Sequence, residues 1–163
     1  MGLFKSSSNP YEKYSLGARS QNHYSSKEAE FIAPPQYLKQ VRESVNLINS
    51  TVNPEVFFSR YGFALFRLYE LSKMEGKVKF TGDKPSKFIK TMEKEKQEAI
   101  KRLIDRISQK LREKCFTLKT EKSKANNIDK AENDLKLYFS EFDSSSIEYL
   151  KNKMTELRQY CLK

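Results

Sequence analysis

Histidine is almost missing from this chain: His23 is the only one among 163 residues, and it stands in a serine-rich amino-terminal stretch. Without imidazoles, the rest of the chain can build neither a His-ligated metal centre nor a His-dependent nucleophilic triad. Cysteine is nearly as scarce. Cys115 and Cys161 lie 46 positions apart, make no Cys-x-x-Cys pair and have no histidine beside them. They read as two reduced core thiols, with a single bridge between them as the alternative. The five glycines are scattered singly, so no phosphate-cradling loop is present. No apolar run approaches the ~18–20 residues of a membrane span, and no apolar signal segment follows Met1. Glu93 and Glu95 are paired carboxylates set among lysines, which surface ion pairs explain better than an acid/base dyad. The expectation is a cytoplasmic protein with no catalytic constellation, no cofactor and no metal.

Tryptophan is absent too, yet eleven Phe and nine Tyr argue against a chain disordered throughout. What the sequence has in excess is positive charge. The net charge is +10, and residues 76–125 carry sixteen basic against seven acidic side chains, or +9 of it. Charge gathered on one segment points to a partner that is either nucleic acid or an acidic protein surface.

Residues 1–34 are polar and rich in serine, with no useful apolar period, and read as a disordered tail. Tyr11, Tyr14 and Tyr24 are its candidate docking residues. Met1-Gly2-Leu3-Phe4-Lys5-Ser6 fits the loose N-myristoylation pattern, which alone gives only marginal, reversible membrane attachment. Residues 35–163 read as a single helical domain. Pro34-Pro35 opens a first helix, with Tyr37, Leu38, Val41, Val45 and Ile48 at helical spacing. Asn53-Pro54 caps a second, predicted to run to about Glu75 with Gly76 just beyond it. Pro85 starts a third of roughly thirty residues, to about Leu118, which carries most of the basic excess. The polar stretch Lys119 to Asn127 is expected to break or loosen the chain before a fourth helix from Ile128 to Phe142. Ser145 and Glu148 have capping-box spacing for a fifth. The fold class is therefore all-α: a bundle of about five helices, the long third one as its basic centre.

Two surfaces stand out. Lys87, Lys90, Lys94 and Lys101 fall within about 60° on the third helix, a row suited to a phosphate backbone. Acidic residues at i,i+4 spacing (Glu98, Asp105) also make it the dressing of a solvated face. On the second helix Arg60, Phe63 and Arg67 fall together, with Phe66 beside them, as arginine and aromatic anchors of an interface do. The competing reading is that another helix covers this strip while the arginine heads reach water. Gly62, costly in a helix interior, predicts a close helix contact there.

The stretch Val41 to Asp143 resembles a recurring, uncharacterised bacterial all-helical domain family. The likeness rests on Glu43-Ser44-Val45, Asn53-Pro54-Glu55-Val56-Phe57-Phe58-Ser59-Arg60-Tyr61, Gly82 to Ser86, and Lys119-Thr120-Glu121-Lys122. The resemblance implies a bacterial or phage origin and a helical fold, and it carries no known activity. It gives Ser59, Arg60 and Tyr61 a shared role, in helix packing or in binding. Relatives often look as if they carry a different amino-terminal module, sometimes a Cys-rich zinc-binding one; this tail has no cysteines, so no metal is carried over. Function then reads as a non-enzymatic protein-interaction module of unidentified partner, the alternatives being a nucleic-acid binder using the basic helix face and an unrecognised enzyme with a deep polar pocket.

Overall fold

A computed structural model describes residues 9–15, 34–80 and 83–162. The helices are α1 (Pro34–Ser50), α2 (Pro54–Ser72), α3 (Pro85–Cys115), α4 (Glu121–Lys136) and α5 (Ser144–Cys161), with short 3-10 turns at Glu12–Tyr14 and Phe139–Glu141. Among the described residues the only β pairing is an isolated bridge from Glu75 to Val78. The all-α bundle expected from the sequence is what forms. The chain packs as two compact units, Met1–Ile48 with Phe58–Lys94, and Asn49–Phe57 with Glu95–Lys163.

Side-chain caps explain most helix starts. Asn53 Oδ1 accepts from the amides of Glu55 (2.9 Å) and Val56 (3.3 Å), and Pro54 takes the first helical position. α2 stops at Ser72, three residues earlier than expected. There Ser72 Oγ donates to the Tyr69 carbonyl at 2.6 Å, and the Lys77 and Val78 amides both turn back to the Met74 carbonyl. Gly76, at φ +88°, serves that turn and does not sit directly behind the helix. The carboxylate of Glu75 then accepts from the amide (2.8 Å) and hydroxyl (3.0 Å) of Ser86, placing a negative charge at the start of α3, where the helix dipole favours it.

In the first unit, Val41, Ala64, Leu68 and Leu71 form a buried cluster against which Phe80, Phe88, Ile89 and Met92 pack. Each fully buried Leu contributes roughly 1.5–3 kcal/mol. Within the stretch read as a tail, residues 9–15 are ordered on α2. Asn9 Nδ2 donates to the Phe66 carbonyl (3.0 Å) and to Glu70 Oε1 (2.9 Å), and Tyr11 meets Tyr69 edge-on at 6.3 Å. The hydroxyl of Tyr11 donates to Glu93. The Tyr14 ring lies where a Cβ on Gly62 would be, so Gly62 answers to this segment and not to a neighbouring helix. Tyr24, His23 and the Met1–Ser6 pattern lie outside the described residues.

The second unit gathers Ile100, Leu103, Ile104, Ile107 and Leu111 of α3, Ile128 and Leu135 of α4, and Leu150, Met154 and Leu157 of α5 as buried residues. Four boundaries differ from the sequence reading. α3 stops at Cys115, short of Leu118, and α4 at Lys136, short of Phe142, where the Tyr138 amide turns back to the Leu135 carbonyl; the starts of α4 and α5 also shift. Thr120 caps α4, its Oγ1 accepting from the Ser123 amide at 3.1 Å, so helix begins at Glu121 and most of the supposed break is helical. The apolar period starts only at Ile128 because no side chain in the first two turns of α4 is fully buried. Asp143, not Ser145, caps α5, its Oδ1 accepting from the Ser146 amide at 2.8 Å. Gln97 secures the turn before α5: its Nε2 donates to the Glu141 carbonyl (3.0 Å), while its Oε1 accepts from the Asp143 amide (3.0 Å) and Ser146 Oγ (2.7 Å). Arg158 bridges α5 to α4 through Asp129 (2.8 Å) and Glu132 (2.6 Å).

Candidate docking surface

The α2 strip does not lie open. Phe63 is 3% exposed and Arg67 7%, and the Arg67 guanidinium rests 5.2 Å from the centre of the Phe63 ring. Phe66 is half-buried, with its carbonyl taken by Asn9. Arg60 is half-buried as well; its Nε has no hydrogen-bond partner among the described residues, and burial lowers its pKa. Beside it, buried Tyr61 donates its hydroxyl to the Met92 carbonyl, a packing role. The structure thus brings Phe63 and Arg67 together, but inside the first unit.

The lysines divide differently. Lys87 is exposed and pairs with Asp83 at 3.1 Å. Lys90 and Lys94 are exposed, and no carboxylate among the described residues pairs with them. Lys101 is committed within the second unit, 3.5 Å from Glu98 and 5.8 Å from the centre of the Tyr149 ring.

The exposed aromatic cluster lies where spacing alone does not point. The core line of α3 ends on Leu111 and Cys115, both buried, so Phe116 falls about 100° past it and is 76% exposed. On α5 the core line ends on Leu157 and Cys161, which leaves Tyr160 off-line and 44% exposed. The Phe116 and Tyr160 rings meet edge-on at 6.3 Å with an interplanar angle of 83°. Arg112, one turn before Phe116, sets its guanidinium 4.7 Å from the centre of the Tyr160 ring. Beneath them Cys115 and Cys161 are both buried and neighbour one another. Burial and the neighbouring Cys115 push the Cys161 thiol up to about 11, against the opposing pull of Lys124 and Arg112. From residue 110 to 124 the chain carries six basic and two acidic side chains. The signal available in the sequence was the i,i+4 pair Arg112 and Phe116, the same arginine–aromatic chemistry as on α2.

A shallow groove of about 210 Å³ opens between α3 and α5 and shares Arg112 with this cluster. Its walls carry both signs of charge, Asp105 and Glu156 against Arg112 and Lys153. The buried Ser108 Oγ at its edge has no hydrogen-bond partner among the described residues. Asp105 accepts from the Tyr149 hydroxyl at 2.5 Å and lies 3.6 Å from Lys153. Among the described residues no group of metal-ligating side chains converges, and no helix is long and apolar enough to cross a membrane. No family model matches the chain, nor does any curated protein or solved structure.

Proposed function

We propose that this chain is a non-enzymatic protein-interaction module that docks its partner on Phe116, Tyr160 and Arg112. The observation that carries the reading is the 76% exposure of Phe116 against an arginine-backed tyrosine. Aromatic and arginine side chains grouped in this way are the usual energetic centres of protein interfaces. The partner this surface suits is an acidic segment with one apolar anchor: the anchor covers Phe116, and carboxylates meet the basic side chains of residues 110–124. Affinity capture with wild-type protein and with a Phe116→Ala plus Tyr160→Ala variant tests the reading. A specific partner lost by the variant, and regained when the aromatics are restored, supports it. Identical partners at similar affinity would remove it.

A second reading rests on Lys90 and Lys94, exposed cations with no ion-pair partner among the described residues. A row of such cations on α3 favours sequence-neutral nucleic-acid binding at micromolar or weaker affinity, falling steeply with salt. Filter binding at low and physiological salt decides it. No binding at low salt ends this alternative, as does unchanged binding after Lys90→Glu plus Lys94→Glu.

A further inference from the structure

The chain has two cysteines, and each sits on the last turn of a helix, Cys115 closing α3 and Cys161 closing α5. Both are free, buried at 7% and 6% exposure, and neighbours of one another. Their neighbours hold the two helix ends at this separation independently of the thiols. Phe116 follows Cys115, Tyr160 precedes Cys161, and the two rings touch at 6.3 Å. Arg112 lies across Tyr160 at 4.7 Å. Two buried thiols on helix ends that abut in this way are placed to join in a disulfide, whose bond length is about 2.05 Å. Helix ends also open more readily than helix interiors, which gives a small reagent access to both sulfurs.

We propose that Cys115 and Cys161 are a redox clasp, whose closure to a disulfide locks the ends of α3 and α5 and fixes the Phe116–Tyr160 face for docking. Its consequence for binding rests on the docking reading above; its chemistry does not. With a low-molecular-weight disulfide as oxidant, one cysteine thiolate attacks a sulfur of that disulfide and expels the first small thiolate, leaving a mixed disulfide on the protein. The second cysteine thiolate attacks the protein sulfur of the mixed disulfide and expels the other small thiolate. The two protons lost by the cysteines pass to the two small thiolates; the protein loses two electrons and the small disulfide gains them. Burial keeps the Cys161 thiol protonated at neutral pH, so closure in the folded protein is slow and accelerates as pH rises. Once closed, the bond restrains the 45 residues between the cysteines in the unfolded chain. It also removes fraying at the two helix ends, lowering the cost of ordering them on a partner.

The test is incubation of the full chain with oxidised glutathione at graded ratios to reduced glutathione, followed by denatured mass, thermal unfolding and amide exchange. The expected product has lost two hydrogens, carries no glutathione and forms no covalent dimer. Its unfolding midpoint rises by at least about 5 °C. Exchange across residues 112–118 and 157–162 slows about tenfold. Cys115→Ser is expected to stop at a single glutathione adduct. Persistent adducts on the wild type, covalent dimers, absence of reaction, or a bridge that leaves exchange at those residues unchanged would each overturn the clasp. If the bridge forms and slows exchange while the Phe116→Ala plus Tyr160→Ala variant keeps its partners, only the docking reading fails. If that variant loses its partner while the thiols stay reduced, only the clasp fails.

Discussion

The two units each stack an arginine on an aromatic ring, and do opposite things with it. In the first, Arg67 lies 5.2 Å from the Phe63 ring and both are buried. In the second, Arg112 lies 4.7 Å from the Tyr160 ring, beside a Phe116 that is three-quarters exposed. The chemistry is the same and the energetic consequences are not. A buried ring is held by apolar burial and close packing, so its removal leaves a cavity; an exposed ring contributes little until a partner desolvates it. The largest expected effect follows directly. Phe63→Ala should destabilise by about 3–5 kcal/mol, whereas Phe116→Ala should stay within about 0.5 kcal/mol of wild type in denaturant unfolding. Equal costs would dissolve the distinction between packing and docking on which the functional reading stands.

The units also share a device for tying down a non-helical segment: one side-chain amide. Asn9 fastens residues 9–15 to α2 through the Phe66 carbonyl and Glu70, and Gln97 fastens the turn before α5 through three hydrogen bonds. Gln97→Leu keeps the volume but leaves the Asp143 amide and the Glu141 carbonyl without that partner, a loss of roughly 1–3 kcal/mol. It should register in global unfolding. Asn9→Ala should instead raise amide exchange and protease sensitivity within residues 9–15 and spare the cluster at Leu68 and Leu71. If Asn9→Ala lowers global stability as much as Gln97→Leu, the two fastenings are equivalent, and the segment belongs to the core of its unit.

Much of the fold was legible because caps and prolines are local signals. Asn53-Pro54, Pro85 and the 3–4 spacing of Ile100 to Cys115 each specify helix from a few adjacent residues. The misplaced boundaries have two causes: apolar period neither marks first turns that bury no side chain fully, as in α4, nor tells a helix from the turn that follows it, as after Ser72 and Lys136. Hence α4 starts seven residues before Ile128, announced only by the Thr120 hydroxyl. Residues 9–15 were illegible for another reason: the partners of Asn9 and Tyr14 lie 48 to 61 positions away, and Gly62 gave the sole hint that something approaches α2 closely. Similarly, helical spacing placed Arg60, Phe63 and Arg67 on one strip without telling whether that strip is covered. Exposure is a property of what packs over a face, which spacing on one helix does not encode. The caps themselves give the next prediction in size. Thr120→Ala and Asp143→Ala should each cost about 1 kcal/mol, restored largely by Ser at either position. A loss confined to one of them would show that the other helix is held by packing alone.

Tyr149 lies between the buried and exposed extremes and supplies the smallest effect. Its ring carries Lys101 at 5.8 Å and Lys153 at 5.5 Å, yet its hydroxyl is tied to Asp105. Burial, that hydrogen bond and the nearby charges of Asp105, Glu156 and Glu98 push the phenol from its usual value near 10 up to about 12. Between these values the folded protein keeps a proton that the unfolded chain releases. The contribution of the phenol to stability is therefore complete below about pH 10 and falls away as pH rises through about 12. Tyr149→Phe has no such proton to lose. The stability difference between wild type and Tyr149→Phe should accordingly be constant from pH 7 to 9 and shrink above pH 10, while lysine titration, common to both proteins, cancels in the difference. A difference that stays constant to pH 11.5 would mean that the Asp105 hydrogen bond is too exposed to hold the proton. Tyr149 would then group with Tyr160, as a ring whose cations sit on a solvent-facing surface and contribute little to the fold.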